Sequence, residues 1–295
     1  MKFVTYSKDE EQYVGVLSLD EKKVYSTGEF LPGTEYKDMV TFIKDWKDQW
    51  REVIKEFLAL KKDGLDIKEV KILAPIIKPP HDIISLGVNY QDHLEESRRS
   101  MKINTLHEIK APVYFSKRTI EILGPEAEIQ GHFELDKYLD YEVELAVIIG
   151  KKGSDIPKES VKDYIFGYSI FNDFSARKLQ RTHTQWFKGK SLDTFSTMGP
   201  CILHISETNY PYEVDIMASV NGETRQNSNT NMLINSIEDI IADFSKGITL
   251  EPGDIIITGT PAGVGMGFDP PKYLVSGDEV ECHIDGIGVL RNKVK

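Results

Sequence analysis

The chain has 295 residues and a formal net charge of −11, from 36 Lys and Arg against 47 Asp and Glu. That length suits one large domain plus a small one, or two modest domains, and hydrophobic residues at 40% with charged residues at 28% support a packed core and exclude global disorder. The acidic balance disfavours nucleic acid and anionic membrane as partners, and a carboxylate substrate would need a bound cation to reverse the sign locally.

The opening MKFVTYSKDEEQ has no apolar h-region, and no apolar run approaches the roughly 18 residues of a membrane span, so the expected location is the cytoplasm. Residues 1–30 alternate as short strands at Phe3–Val4, Tyr13–Leu19 and Val24–Tyr25. Asp38 then caps a helix in which Met39, Phe42, Ile43, Trp46, Trp50, Val53, Ile54, Phe57 and Leu58 recur on one face. Its tryptophans read as packing on a small sheet rather than as a ligand platform. Pro75, Pro79 and Pro80 cannot sit inside a helix or central strand. They mark a connection between a small N-terminal α/β domain, 1–72, and a second domain, 73–295. The second reads mainly as strands: Ile83–Val88, Val113–Phe115, Glu142–Ile149, Phe166–Phe171, Cys201–Ile205, Ile216–Val220, Asp254–Thr258 and Glu279–Ile284. One helix interrupts them, capped by Ser236 with Asp239, striped by Ile237, Ile240, Ile241 and Phe244, and ended by Gly247. The two cysteines, Cys201 and Cys282, have no CxxC spacing, which excludes a disulfide framework and a zinc ribbon.

The segment from Asp140 to Gly150 carries the most unusual chemistry. Period-two geometry puts Glu142 and Glu144 on one face, followed by Ala146 and Ile148, with Val143, Leu145 and Val147 opposite. A strand apolar on both faces is buried on both sides. Two inward carboxylates there must be protonated, paired or bound to a cation, unless the strand is an edge whose glutamates face water. Asp173 ends the apolar strand that begins at Phe166, where the chain breaks into a loop. Three carboxylates without clustered histidine describe a hard-ion site for magnesium, manganese or calcium. Zinc does not fit, because the seven histidines show no HxH or HExxH spacing.

His93 and Glu96 lie three apart, so on a helical turn they touch, and a carboxylate beside an imidazole raises its basicity. The alternative is an ordinary surface helix. The polar stretch Leu94–Lys110 reads as a lid. Arg177 and Gln180, again three apart, and Lys190 are either counter-ions or a clamp for a substrate carboxylate. The glycine-rich turn 257–265 lacks the order of a phosphate loop, but its backbone N–H groups can grip a carboxylate.

In order, GVNYxxHxxE, DYExELAVIIG, GYSIFNDFSARKLQ, WFxGKSLD, NGETRQ, LEPGDIIITGTPAGVG and SGDEVECHIDGIGVL resemble the fumarylacetoacetate hydrolase family over about residues 73–295. The stretch GMGFDPPKYLVSGD is most similar to the bacterial isomerase, decarboxylase and acylpyruvase branch. The resemblance implies an α+β fold: a mainly-β mixed sandwich roll, dimeric, with a small N-terminal α/β domain and a lid at about 89–110. It implies Glu142, Glu144 and Asp173 as metal ligands and His93 with Glu96 as the lid dyad. Lys190 would be catalytic, and Asn89, Tyr90, Arg177, Gln180 and Thr260 would contact substrate. Animal members bring a fourth acidic ligand from just before the base; Asn89 stands here, which favours magnesium or manganese over calcium. The implied activity is carbon–carbon cleavage in a small 2-oxo acid, by hydrolysis of an acylpyruvate or decarboxylation of oxaloacetate. The alternatives are an isomerase or tautomerase of 2-hydroxy-diene dioates, a dehydratase of 2-oxo-3-deoxy sugar acids, and a catalytically idle 2-oxo acid binding protein.

Overall fold

The computed structural model describes residues 1–60, 63–101 and 111–295. The first stretch holds β1 (Lys2–Lys8), β2 (Glu11–Leu17), β3 (Lys23–Ser26), α1 (Thr27–Phe30), α2 (Met39–Lys44) and α3 (Trp50–Leu60), and β4 (Leu65–Asp66) and β5 (Lys71–Ile72) follow. Next come β6 (Ile83–Gly87), α4 (Gln91–Met101), β7 (Val113–Lys117), β8 (Glu128–Ile129), β9 (Leu139–Asp140), β10 (Val143–Ile149), β11 (Ile165–Asp173) and β12 (Ser175–Ala176). The chain then forms α5 (Arg177–Thr182), α6 (Phe187–Lys190), β13 (Ser196–His204), β14 (Asp215–Val220), β15 (Glu223–Asn229), α7 (Ile237–Phe244), β16 (Ile255–Ile257), β17 (Glu279–Ile284) and β18 (Gly288–Val294).

Uninterrupted apolar runs such as Val143–Ile149 and Ile255–Ile257 can only be stable with both faces covered. They form the middle of an eleven-stranded sheet, ordered β4-β3-β2-β1-β13-β11-β10-β16-β6-β7 with β5 on β1. The β16–β6 pair is parallel and its neighbours are antiparallel, so the sheet is mixed. A five-stranded sheet, β15-β14-β17-β18-β8, and a two-stranded sheet, β12-β9, complete the α+β roll.

The alternation of β10 resolves into two cores. Val143, Leu145, Val147 and Ile149 join Ile216, Val280, Cys282 and Leu290 of the five-stranded sheet. Ala146 and Ile148 face the other way, into a core with Met39, Phe42, Ile43, Ile54 and Leu58 of α2 and α3. Strands from both halves of the chain share the large sheet, since β1 runs antiparallel to β13 with Phe3 opposite Ile202.

Two sequence expectations shift, and one strand appears that the sequence did not announce. The helix expected across Met39–Leu58 is two helices. Asp38 caps the first as expected, its carboxylate accepting from the Thr41 N–H at 2.8 Å. Asp45 ends that helix, and Trp46 turns inward against Phe3, Phe166 and His204. Trp50 stacks on Phe42 from the next helix. Aromatic packing overrides a continuous helical period here. The strand expected at Tyr13–Leu19 runs Glu11–Leu17, because the chain turns at Ser18 to pair β3. Strand β15 has no apolar alternation to announce it: it reads ETRQNSN, and among its residues only Gln226 is buried. The Ser236–Asp239 capping box is present, and Ile237, Ile240 and Ile241 are buried on α7. Of the expected lid, residues 89–101 form the turn after β6 and α4, and 102–110 lie outside the described residues. Among the described residues no helix is long and apolar enough to cross a membrane.

Candidate active site

Strands β10 and β11 pair antiparallel with Val143 opposite Asn172, and the Asp173 N–H donates to the Glu142 carbonyl at 2.9 Å. That register sets the end of one strand beside the start of the other. Glu142 and Glu144 share parity, so both turn toward Asp173. The three side chains are buried, and one ligand oxygen from each lies within 4.8 Å of the others.

Three buried basic side chains surround this group, and burial lowers the Lys117 ammonium from its ordinary value. Lys190, at the end of α6, donates to Glu142 Oε2 and Asp173 Oδ2, each at 2.6 Å. Lys117, at the end of β7, lies 2.6 Å from Asp173 Oδ1 and donates to the carbonyls of Phe174 and Lys190. Arg177, at the start of α5, pairs with Glu142 Oε1 at 2.6 Å and Asp140 Oδ2 at 2.9 Å, and donates to Gln180 at 3.2 Å. Its Nη2 is buried with no hydrogen-bond partner among the described residues. Burial alone would raise the Glu142 carboxyl; Lys190 and Arg177 overcome it and hold the group well below the usual carboxylate range. Glu144 behaves oppositely. Burial pushes it well above its usual value, and Asp173 and Glu142 push it further. Among the described residues no cationic side chain pairs with it; the Gly259 N–H donates to its Oε2 at 2.6 Å.

The glycine-rich turn does grip carboxylates, but they are the protein's own. Besides Gly259 on Glu144, the Gly263 N–H donates to Glu96 Oε1 at 2.9 Å. The N–H groups of Gly265 and Met266 donate to the Asp140 carboxylate at 2.6 and 3.0 Å. A Cβ at Gly267 would run into the Glu96 carboxylate, so the close approach needs glycine. Glu96 Oε2 in turn holds His93 Nδ1 at 2.9 Å, on the i,i+3 turn of α4.

His93, Glu142, Arg177, Gln180, Lys190 and Thr260 line one cavity, with Phe115, Trp186 and Met266 as apolar wall. Thr260 is fixed there, donating to the Val143 carbonyl at 2.9 Å and accepting from Gln226 at 2.7 Å. Asn89 and Tyr90 do not line the cavity. Asn89 donates to the carbonyls of Asn235 and Thr258 and accepts from the N–H groups of Asn235, which pins the turn after β6. That turn holds Val88 at φ 53°, a rare conformation for a β-branched residue. Tyr90 is fully buried in the core.

Lys117, Asp140 and Gln226 join the site without having stood out as candidates in the sequence. Asp140 was within reach, since it opens the DYE run; Gln226 ends the NGETRQ motif; Lys117 reads as an ordinary strand-end lysine. With them counted, five buried carboxylates (Glu96, Asp140, Glu142, Glu144, Asp173) meet three cationic side chains (Lys117, Arg177, Lys190). With all eight groups ionised the excess would be two negative charges, which one divalent cation cancels. An all-oxygen donor set suits a hard ion, and Glu144 is the ligand left without a cation. The trio thus fits a divalent metal.

A trio of carboxylates at strand ends, an acid–imidazole pair and a guanidinium with a donor unpaired among the described residues define a candidate metal-dependent enzyme centre on a mixed β-roll. Residues 82–295 match the family model "Fumarylacetoacetate (FAA) hydrolase C-terminal". Oxaloacetate tautomerase YisK of Bacillus subtilis is 39% identical over the full length of both chains. A fumarylacetoacetate hydrolase from Exiguobacterium antarcticum superposes with TM-score 0.80 at 34% identity, covering 100% of this chain and 99% of that one. A maleylpyruvate hydrolase from Sphingobium superposes with TM-score 0.76 at 26% identity, covering 100% and 99%. The chain belongs to the fumarylacetoacetate hydrolase family.

Proposed function

We propose that this protein moves a proton at C3 of a small 2-oxo dicarboxylic acid, interconverting the keto and enol forms of oxaloacetate with magnesium as cofactor. The observation that carries this reading is His93, held by Glu96, on the wall of the cavity that Glu142, Arg177 and Lys190 also line. Proton transfer needs a positioned base and a sink for negative charge, and no attacking water. The name of the Bacillus subtilis relative supports the same choice.

Glu142, Glu144 and Asp173 would hold the ion, which supplies Lewis-acid stabilisation of charge on the C2 oxygen. Glu96 bonds His93 Nδ1, so the C3 proton is taken on Nε2. The proton is returned to the C2 oxygen, which balances the interconversion. Arg177 Nη2 offers its free N–H groups to a substrate carboxylate. Lys190 adds positive charge beside the developing oxyanion, and Gln180 and Thr260 orient the acid.

The test starts from enol oxaloacetate and follows the loss of its ultraviolet absorbance. Decay should accelerate in proportion to protein and return to the spontaneous rate in excess chelator. No protein-dependent decay would overturn the reading. Carbon–carbon cleavage is the second reading, favoured by the similarity to a maleylpyruvate hydrolase. Pyruvate released from oxaloacetate or acetylpyruvate, measured in the same samples, would support it.

We also propose a homodimer built on residues 73–295, resting on the family resemblance. Light scattering at micromolar concentration should give twice the 33.5 kDa chain mass, and a monomer mass would refute it.

A further inference from the structure

We propose that Asp140 is a positioning residue that aims the Arg177 guanidinium at the substrate carboxylate. The proposal rests on the proton-transfer reading only for its choice of substrate. Strand β9 pairs with β12, Asp140 opposite Ser175 and Leu139 opposite Ala176, and Arg177 follows Ala176 directly. This small sheet lays the Asp140 carboxylate beside the first residue of α5. The group is fully buried and accepts four N–H groups. Oδ1 accepts from Tyr141 at 3.0 Å and Gly265 at 2.6 Å; Oδ2 accepts from Arg177 Nε at 2.9 Å and Met266 at 3.0 Å. A carboxylate offers about four lone-pair sites, so all are used and the group cannot turn without losing a bond.

The consequence falls on Arg177. Its Nε is tied to Asp140 and its Nη1 to Glu142 and Gln180, which leaves Nη2 buried and without a hydrogen-bond partner among the described residues. Without the Asp140 carboxylate the guanidinium is free to rotate and give Glu142 a two-pronged pair, the geometry Arg prefers with a carboxylate. Nη2 would then be spent on Glu142 and lost to substrate. Asp140 is not itself among the residues lining the cavity with His93, so it acts through Arg177 and not on the reacting atoms.

The experiment uses the full chain with magnesium, comparing wild type with Asp140→Asn. A lost charge-assisted hydrogen bond to substrate corresponds to about tenfold or more in affinity. The KM for oxaloacetate should therefore rise about tenfold or more, while kcat stays within about threefold and manganese affinity, read by electron paramagnetic resonance, within about twofold. A merely structural role would lower kcat through an inactive fraction at unchanged KM, and that result overturns the proposal. If the wild type is inactive on oxaloacetate, the proton-transfer reading fails by itself. The same comparison is then made by calorimetry with oxalate, and equal oxalate affinity in both proteins overturns the positioning role. If Asp140→Asn does not fold, the wild type still decides the matter. The Arg177 Nε–H resonance, identified by its absence in Arg177→Lys, should resist solvent exchange with and without oxalate; exchange at the rate of a free arginine overturns the clamp.

Discussion

Replacing Glu144 by Gln is expected to remove metal-dependent activity, by on the order of a thousandfold, while leaving the fold intact. Glu144 sits fully buried, and burial together with Asp173 and Glu142 favours its neutral form when no metal ion is bound. A neutral Glu144 and a Gln have nearly the same shape, so the ion-free proteins should differ little in structure. The sign of the stability change is fixed by the direction of the shift. A carboxyl raised in the folded state contributes stability that is fully present below its unfolded value, 4.5, and is lost as pH rises through the folded value. The wild type therefore carries a penalty at neutral pH that Glu144→Gln does not. Without ion the variant should melt at the same temperature or higher at pH 7, and the gap should close toward pH 4. With magnesium the order should reverse: the wild type gains stability by binding the ion, and the variant does not. Thermal melts with and without magnesium, beside the enol assay, measure both. A variant that keeps its magnesium-induced melting shift, or its activity, would sink the assignment of Glu144 as a ligand.

The same residue shows which parts of the site are legible in the sequence and which are not. Glu142 and Glu144 can be paired from the sequence alone because strand parity is strictly two, and β10 is apolar on both faces. Asp173 can be added because it ends a strand. His93 and Glu96 can be joined because three residues on a helix span one turn, and the pair meets at 2.9 Å. All of these are local rules. Lys117 has no local signal. Its partner Asp173 lies on β11, separated from β7 by three strands in the large sheet, and nothing in YFSK marks a buried lysine. Asp140 receives N–H groups from Gly265 and Met266, far along the chain, so its role depends on where a distant turn lands. Asn89 is assigned to the substrate by resemblance alone, and its side chain makes four hydrogen bonds to Asn235 and Thr258. Trp46 follows the helical period in sequence yet leaves it in the fold, because an aromatic nest of Phe3, Phe166 and His204 is available across the sheet. Gln226 lies on a polar edge strand that no periodicity announces, and it anchors Thr260.

Replacing His93 by Ala is expected to slow enol–keto interconversion of oxaloacetate about a hundredfold or more, the usual scale for a lost general base. The expectation turns on what each reaction demands of the dyad. Proton transfer at C3 requires a base within reach, and His93 is the imidazole on the cavity wall, held through Nδ1 by Glu96. Hydrolysis of an acylpyruvate requires an activated water and should fall to a similar extent. Breaking the C3–C4 bond of oxaloacetate releases carbon dioxide without removing a proton, so it leans mainly on charge stabilisation by Lys190, Arg177 and the metal site. Any decarboxylation should therefore survive His93→Ala better than the other two reactions. The anchoring of α4 is a confounder, since Glu96 also accepts from the Gly263 N–H at 2.9 Å. Glu96→Gln controls for it: the amide keeps an oxygen for Gly263 but loses the carboxylate that holds His93 Nδ1. It should slow interconversion less than His93→Ala and lower the rate chiefly through kcat. The three rates are read in parallel, as enol absorbance, acylpyruvate loss and pyruvate release, each with its spontaneous rate subtracted. Equal proportional losses in all three for His93→Ala would show that the dyad serves a step common to every reaction, such as closure over the bound acid, and would refute its role as the C3 base.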